Sequence, residues 1–462
     1  SNNTYLGNGT YNIDSLSLKS PMRVLPPETS DEDPDETSEF KAEATSGAGA
    51  SKVGVAGSLA LNLIDNKVKV EMGENSIIKI NPEPENDDSS GNENEGEEEQ
   101  VISGDIDMEV ENKAASTAKA LPAEDGETSG GKVGVGASVA INNLTEANQI
   151  IIPDGVSFDN ANHDFGNINL KADSVYNNHT QSKAGAAGGI AIDTAVAWAR
   201  LNQKNSIYLG SGNELIGSGD LLLESTHNGN NWAKAEGMTT ASRAGVGASA
   251  AVILSNTRTE NGDRIENDNT LVSAVVNRDL ELGGKIKVKA ESDRQYQSIG
   301  TSSSKGAKAK ADRSQDNSLS STSLEENQDQ QQAEDSERMK NHNQSQMPAG
   351  GAKITAAAAL GLLYINDDVT AEIRGGSSVD NQRQVAAVDE IQVTADNNTN
   401  FHASGKAEAV GENVVSMPQN SIGVGAGLSI TRSNTTADIG STAGGGVGFT
   451  EINQGSGIKI NS

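Results

Sequence analysis

A short strand-like phrase returns at long intervals along this chain. Its clearest copy spans residues 133–142 and reads VGVGASVAIN. Further copies begin at Val53 (VGVAGSLALN), Ala244 (AGVGASAAVI) and Ile422 (IGVGAGLSIT), with weaker ones at Ile190 and Ile354. A phrase repeated in this way indicates one structural unit used many times, so the repeat constrains the fold more than any single residue does.

A second phrase precedes these copies and alternates polar with apolar residues. It occurs as GDIDMEV at 104–110, GNINLKA at 166–172 and GKIKVKA at 284–290. A period of two with one polar face predicts half-buried strands. Each unit also has a strand that ends in a turn. Counted together, these elements predict about four short strands per unit and about six imperfect units. Their approximate bounds are 13–103, 104–165, 166–218, 219–283, 284–388 and 389–462.

The repeated phrase has two unequal faces. Val135, Val139 and Ile141 share one face, whereas the other carries the small residues Gly134, Gly136, Ser138 and Ala140. A strand whose second face met solvent would carry Lys, Thr or Glu there. Such small residues predict close approach by another layer, from the same chain or from a neighbouring one.

Three inserts interrupt the pattern, at residues 21–39, 82–100 and 311–350. The first two are acidic, and the third is polar with runs of Gln and Asp. None carries enough apolar surface to form a core, so we expect exposed loops or disorder.

The composition suits a thin stacked core. Aromatic residues make up 3% of the 462 residues, and 50 are Gly. Stacked β-coils need little aromatic bulk, so the whole chain is predicted to be one all-β array, an elongated parallel β-helix or β-solenoid. The alternative is a six-bladed β-propeller, which the uneven unit lengths and the lack of Trp-Asp blade motifs disfavour.

The charge and the absence of Cys limit the partners. The formal net charge of −30 argues against nucleic acid and against anionic lipid surfaces. No apolar run of about 18 residues occurs, so no stable membrane insertion is expected. Without Cys there is no disulfide and no thiolate site. The sequence starts at Ser1 without Met and is expected to be a piece of a longer chain.

Candidate sites are few. Asp31, Asp33 and Asp35 form the densest acidic cluster, interpreted as a solvated loop, with Ca²⁺ binding as the alternative. His179, Trp232 and His402 fall at equivalent positions of different units, which predicts either a structural stack of rings or a sugar-binding stripe. No catalytic motif is present, so neither an enzyme nor a cofactor is expected.

The alternation of GKVGVGASVAINNLT (131–145) with GNINLKADS (166–174) resembles repeat regions of giant bacterial surface proteins. The nearest families are filamentous-haemagglutinin-like and leukotoxin-type filamentous adhesins secreted by the type V route. The resemblance implies a right-handed parallel β-helix, export to the cell surface, and a role as fibre, stalk or adhesin. It also implies two sets of partners: other copies or flanking repeats of the same protein, and glycans of host or neighbouring cells.

Two rival functions are kept. A membrane-active, pore-forming toxin could insert small-residue segments such as residues 184–199 as hairpins. A β-helical polysaccharide-processing enzyme would need carboxylates clustered on one face of several coils, and the sequence locates no such cluster.

Overall fold

The structure is a computed structural model in which every regular element is a strand. It describes residues 1–22, 38–80, 104–122, 129–159, 165–255, 272–306, 354–376, 382–410, 420–441, 450–454 and 457–462. The first eleven strands are β1 (Asn2–Leu6), β2 (Thr10–Ile13), β3 (Leu16–Met22), β4 (Ser38–Ser46), β5 (Gly49–Ala50), β6 (Val53–Met72), β7 (Ile77–Ile80), β8 (Gly104–Pro122), β9 (Ser129–Ile152), β10 (Ser157–Asp159) and β11 (Phe165–Leu209). The others are β12 (Leu215–Gly217), β13 (Leu221–Ser255), β14 (Val272–Val276), β15 (Leu280–Leu282), β16 (Ile286–Gly306), β17 (Ile354–Ile373), β18 (Arg383–Ala387), β19 (Glu390–Val410), β20 (Asn420–Ile439), β21 (Thr450–Gln454) and β22 (Gly457–Asn461).

The strands pair in parallel, and each pass of the chain lies in register on the one before. Nineteen strands form one sheet, and β2, β7 and β10 form a second. A single column of paired residues runs through the large sheet: Leu16, Ile106, Ile168, Leu221, Ile286, Ile391 and Ile458. This stacking is consistent with a β-solenoid. The alternative of a propeller is wrong, since propeller blades are antiparallel sheets.

Each pass consists mainly of two long strand segments that face each other, which we call the first and second arms. In β11 the chain runs from Phe165 to Leu209 as one strand of 45 residues. Its register shifts between Gly188 and Ile190, where the first arm turns into the second. Residues 184–199, considered above as a membrane hairpin, form this bend, and Ala184 packs there with Ala195 in the interior. The expected four short strands per unit are thus replaced by two long arms and a short side such as β12.

The interior narrows from one end of the arms to the other. Large aliphatic side chains such as Leu170, Ile207 and Leu215 fill the wide end, next to the short side. Toward the bend the interior side chains are mostly alanine, and Ala186 and Ala191 pack together there. The change in side-chain size therefore sets the distance between the two layers.

Glycine marks the places where the two arms are closest. A Cβ at Gly136 would lie 2.3 Å from the carbonyl oxygen of Gly185, and one at Gly300 would lie 2.3 Å from that of Leu360. No side chain fits at such a separation, so these positions need glycine for space. The layer that approaches the small face is therefore intramolecular.

The described stack is broader than it is tall. An arm such as 168–187 of β11 spans about 60 Å at 3.3 Å per residue. The column from Leu16 to Ile458 rises only about 29 Å at about 4.8 Å per strand. These residues thus form a flat slab rather than the expected elongated rod.

Most of the predicted inserts lie outside the described residues. This holds for 82–100, for 311–350 and for 21–39 apart from its first two and last two residues. Among the described residues, no helix has the length and apolarity that crossing a membrane requires.

Candidate functional site

The predicted ring positions share one register column on the outer face of the first arms. His179 in β11 pairs with Trp232 in β13, and Trp232 pairs with Gln297 in β16. Gln297 pairs in turn with His402 in β19. The three residues therefore share one column, in which Gln297 separates His402 from the other two rings.

Two of these rings touch, but they do not lie face to face. The ring centroids of His179 and Trp232 are 4.1 Å apart with an interplanar angle of 72°. This is an edge contact, one of the two arrangements that the ring quadrupole favours. The ammonium of Lys234 lies 5.9 Å from the centroid of the Trp232 ring, within cation–π range.

The setting of His179 keeps its imidazole neutral. Burial, and then the charges of Lys119, Lys234 and Lys183, lower its pKa to about 3. The neighbouring charges are themselves paired, since Glu236 lies 2.7 Å from the ammonium of Lys234 and 3.4 Å from that of Lys183. His179 and Trp232 thus present two neutral rings beside ion pairs, which suits contact with a flat polar molecule better than proton transfer.

The acidic candidates cannot be placed. Asp31, Asp33 and Asp35 lie outside the described residues. Within the part of the chain that the structure describes, no group of three or more His, Asp or Glu side chains is arranged to hold a metal ion.

A buried carboxylate that sequence reasoning missed lies between the arms. Glu146 of β9 points inward and accepts hydrogen bonds from Asn112 (2.8 Å), Ser174 (2.5 Å) and Gln203 (3.1 Å). Burial nevertheless raises its pKa to about 7. Glu146 alternates with solvent-facing Thr145 and Ala147, and only the parity of the strand could have identified it as an interior residue.

A buried ion pair joins two neighbouring strands farther along the stack. Arg294 of β16 and Asp367 of β17 are both fully buried, with 2.7 Å between Nη2 and Oδ2. Arg294 also donates to the hydroxyls of Ser292 (2.8 Å) and Tyr296 (2.6 Å). Because solvent does not reach these groups, they serve the packing of the interior rather than catalysis.

The outer face of the second arms is unexpectedly apolar. Since the small residues of the repeated phrase face inward, its Val, Leu and Ile side chains face out. Val55 is 64% exposed and Leu63 is 66% exposed. The small-residue face and the aliphatic face are both evident in the sequence, but the exposure of the aliphatic face to solvent is not.

Comparison with known proteins does not assign the chain to a family. No protein-family model matches it, and neither a curated protein nor a solved structure gives a match.

Proposed function

We propose that this chain is a non-catalytic structural and adhesive filament segment of a bacterial surface protein, located outside the cell. Its imperfect repeats, about six in number, would act as stacked coils of a right-handed β-solenoid. Flanking repeats or other copies would continue the stack, and the outer columns would offer many weak contacts to surface glycans.

The observation that carries this proposal is the unbroken in-register ladder. Parallel pairing connects Leu16 of β3 to Ile458 of β22 through every intervening pass. In the last described pass, Ile458 and Ile460 belong to interior columns and are about half exposed. A further pass of chain stacked on β22 would bury both, which is how a solenoid grows.

The outer ring column supports the adhesive part of the proposal. Trp232 and His179 form a neutral, partly exposed pair, and Lys234 and Glu236 lie beside it. Aromatic faces next to polar groups suit carbohydrates, because the ring packs on the apolar face of a sugar while polar neighbours bind its hydroxyls.

Negative-stain imaging of the purified chain, with and without a calcium chelator, tests the filament. We expect fibres many times the length of one chain. Fraying with chelator would assign the acidic inserts to metal binding. Compact single particles at all concentrations would contradict end-to-end growth of this chain.

A paired variant sharpens this test. Ile458→Glu together with Ile460→Glu adds two negative charges to the exposed interior columns and should shorten or abolish the fibres. Lys287→Glu changes the net charge by the same amount on the outer face of β16, away from β22, and should leave them intact. Equal loss in both variants would show that net charge, not stacking at β22, controls assembly.

A further inference from the structure

The outer face of the second arms forms one continuous apolar surface, which we call the aliphatic face. It consists of every second residue from Val53 to Leu63 in β6 and the residues in register with them in β9, β11, β13, β17 and β20. Its most exposed large members are Val53, Val55, Leu59, Leu61, Leu63, Ile190, Ile192, Trp198, Val246, Ile354, Tyr364, Ile422, Val424, Leu428 and Ile430.

This surface carries almost no charge in a strongly acidic chain. Within the columns defined above, Arg200 is the one ionisable side chain apart from the tyrosine Tyr364, and it lies at the margin. The chain as a whole has a formal charge of −30. A charge-free patch of aliphatic side chains on such a protein indicates a surface that is covered in use.

The size of the aliphatic face matches that of a stable protein interface. The six strands are separated by five spacings of about 4.8 Å, and the eleven residues of each strand are separated by ten steps of about 3.3 Å. Measured between the outermost strand axes, the face therefore covers roughly 800 Å². The largest apolar patch of an ordinary monomer is about 300–600 Å², whereas a standard interface buries about 800 Å² of each partner.

The aliphatic face is not flat but contains a groove. Small side chains of Thr194, Ala248 and Ala358 line up across the strands, and Val196 and Leu360 border them. The result is an open groove of about 300 Å³ with an almost wholly apolar lining. Bulkier neighbours on the same face can serve as ridges for such a groove, so the face can be complementary to itself.

We propose that the aliphatic face packs against the same face of a second copy of this chain, to give a side-by-side pair of solenoids. Two flat sheets pack about 10 Å apart with their strands within about 30° of each other. A two-fold axis places the same patch on both copies. The contact is lateral and does not depend on the end-to-end growth proposed above.

A second copy fits the observations better than a lipid surface. Two chains of charge −30 repel each other, so a stable contact needs a face without charges, and this one has none near its centre. An anionic membrane would repel the same chain and has no ridges to fill the groove.

Sedimentation velocity over a range of protein and salt concentrations tests the pairing. The Ile458→Glu, Ile460→Glu chain, in which end-to-end growth is blocked, should show a monomer–dimer equilibrium that tightens with added NaCl, because salt screens the repulsion while leaving apolar contact intact. A chain that stays monomeric at every concentration and salt level would overturn the proposal.

A lysine pair in the centre of the face should separate the copies. Ile192 and Val246 are register neighbours, each 42% exposed. Ile192→Lys with Val246→Lys should raise the dimer Kd by about 100-fold or more, because each lysine must be desolvated in the contact. These lysines reduce the net negative charge, so general repulsion cannot explain a loss of pairing.

Matched variants separate this effect from misfolding and from end-to-end growth. Gln295→Lys with Asn400→Lys adds the same charge to exposed register neighbours on the outer face of the first arms and should leave the dimer unchanged. If the face lysines unfold the chain, Ile192→Thr with Val246→Thr keeps β-branching and should still weaken pairing. The Ile458→Glu, Ile460→Glu chain should remain dimeric, so that loss of fibres and loss of pairs are distinguishable.

Two further results would overturn the proposal. One is a dimer that survives both the lysine and the threonine substitutions. The other is a monomeric chain that cosediments with neutral phosphatidylcholine vesicles, provided that Ile192→Lys with Val246→Lys abolishes this binding. That result would assign the face to lipid.

Discussion

At the scale of single residues, glycine sets how closely the two arms approach. Gly300 is buried, and a Cβ there would meet the Leu360 carbonyl oxygen at 2.3 Å, well inside contact distance. Gly57 lies on the outer face, where a Cβ would be 3.5 Å from the Ala137 carbonyl oxygen, an ordinary contact. The same residue type therefore has a steric role at one position and none at the other.

We predict that Gly300→Ala lowers the free energy of unfolding by about 1–3 kcal/mol, because the layers must separate to admit the methyl group. Gly57→Ala should leave it unchanged or raise it by less than about 1 kcal/mol, through lower entropy of the unfolded chain. Urea unfolding followed by circular dichroism measures both. Equal effects of the two substitutions would contradict the close approach of the arms.

Glu146 predicts a dependence of stability on pH. Its folded pKa of about 7 exceeds its ordinary value of 4.5 because burial disfavours the carboxylate. Below pH 4.5 the Glu146 carboxyl is protonated in both the folded and the unfolded state, so its burial does not lower the free energy of unfolding there. As the pH rises through 4.5 toward 7, the unfolded state loses its proton first, so stability falls by roughly 3 kcal/mol and then levels off.

Glu146→Gln should remove this fall. The Gln203 amide now donates to the Glu146 carboxylate, and it can turn so that its oxygen accepts a hydrogen bond from the new amide group. We expect the variant to be more stable than the parent at pH 8 and equally stable at pH 4. The difference between the two urea midpoints, followed against pH, isolates Glu146 from other titrating groups. A constant difference would disprove its raised pKa.

At the scale of the elements, the Arg294–Asp367 pair connects the first arm in β16 to the second arm in β17. Both side chains are fully buried. Burial, the main influence on Asp367, raises its pKa, and the charge of Arg294 opposes the rise. Such a pair orients the two arms but is costly to desolvate, so its net stabilisation is small.

Breaking the pair should cost more than replacing it. Asp367→Ala leaves a buried guanidinium without its partner, and we expect a loss of about 3–5 kcal/mol. Arg294→Met combined with Asp367→Leu should lose much less, because neither charge remains. Urea unfolding of Arg294→Met, of Asp367→Leu and of the double variant gives the coupling energy. Additive losses would show that the two groups do not interact.

Much of the strand pattern could be predicted from particular residues. His179, Trp232 and His402 each follow an aliphatic residue by nine positions, namely Leu170, Leu223 and Val393. The register places these aliphatic residues in one column together with Val288, and the rings in another. Periodicity succeeds here because each pass of a stacked sheet repeats the environment of the one before.

The orientation of the faces and the buried charges could not be predicted. Val55 and Leu63 are typical core residues by type, yet they lie outside because the opposing layer is too close for them. Glu146, Arg294 and Asp367 are charged residues in polar stretches, which ordinarily indicates a solvated face. Strand parity identifies Glu146 as an interior position, but whether an interior position holds a charge or an aliphatic side chain depends on the distance between the arms, which a single sequence does not contain.

At the scale of the whole molecule, the two proposals would give the slab two independent directions of growth. Strand pairing would continue along the stack from β22, where Ile458 and Ile460 are about half exposed. Sheet packing through the aliphatic face would act at right angles to it. The first direction uses backbone hydrogen bonds and the second uses apolar area, so salt and denaturant should affect them differently.

The register does not depend on the number of residues between paired positions in neighbouring passes. Paired positions in neighbouring passes are separated by 53 residues between Asn167 and Asp220, but by 105 between Asp293 and Asn398. Both intervals advance the stack by a single strand spacing. Segments can therefore be lengthened, shortened or exchanged at the connections without disturbing the coils beneath. Over evolutionary time, such a scaffold can change what it displays while keeping the same shape.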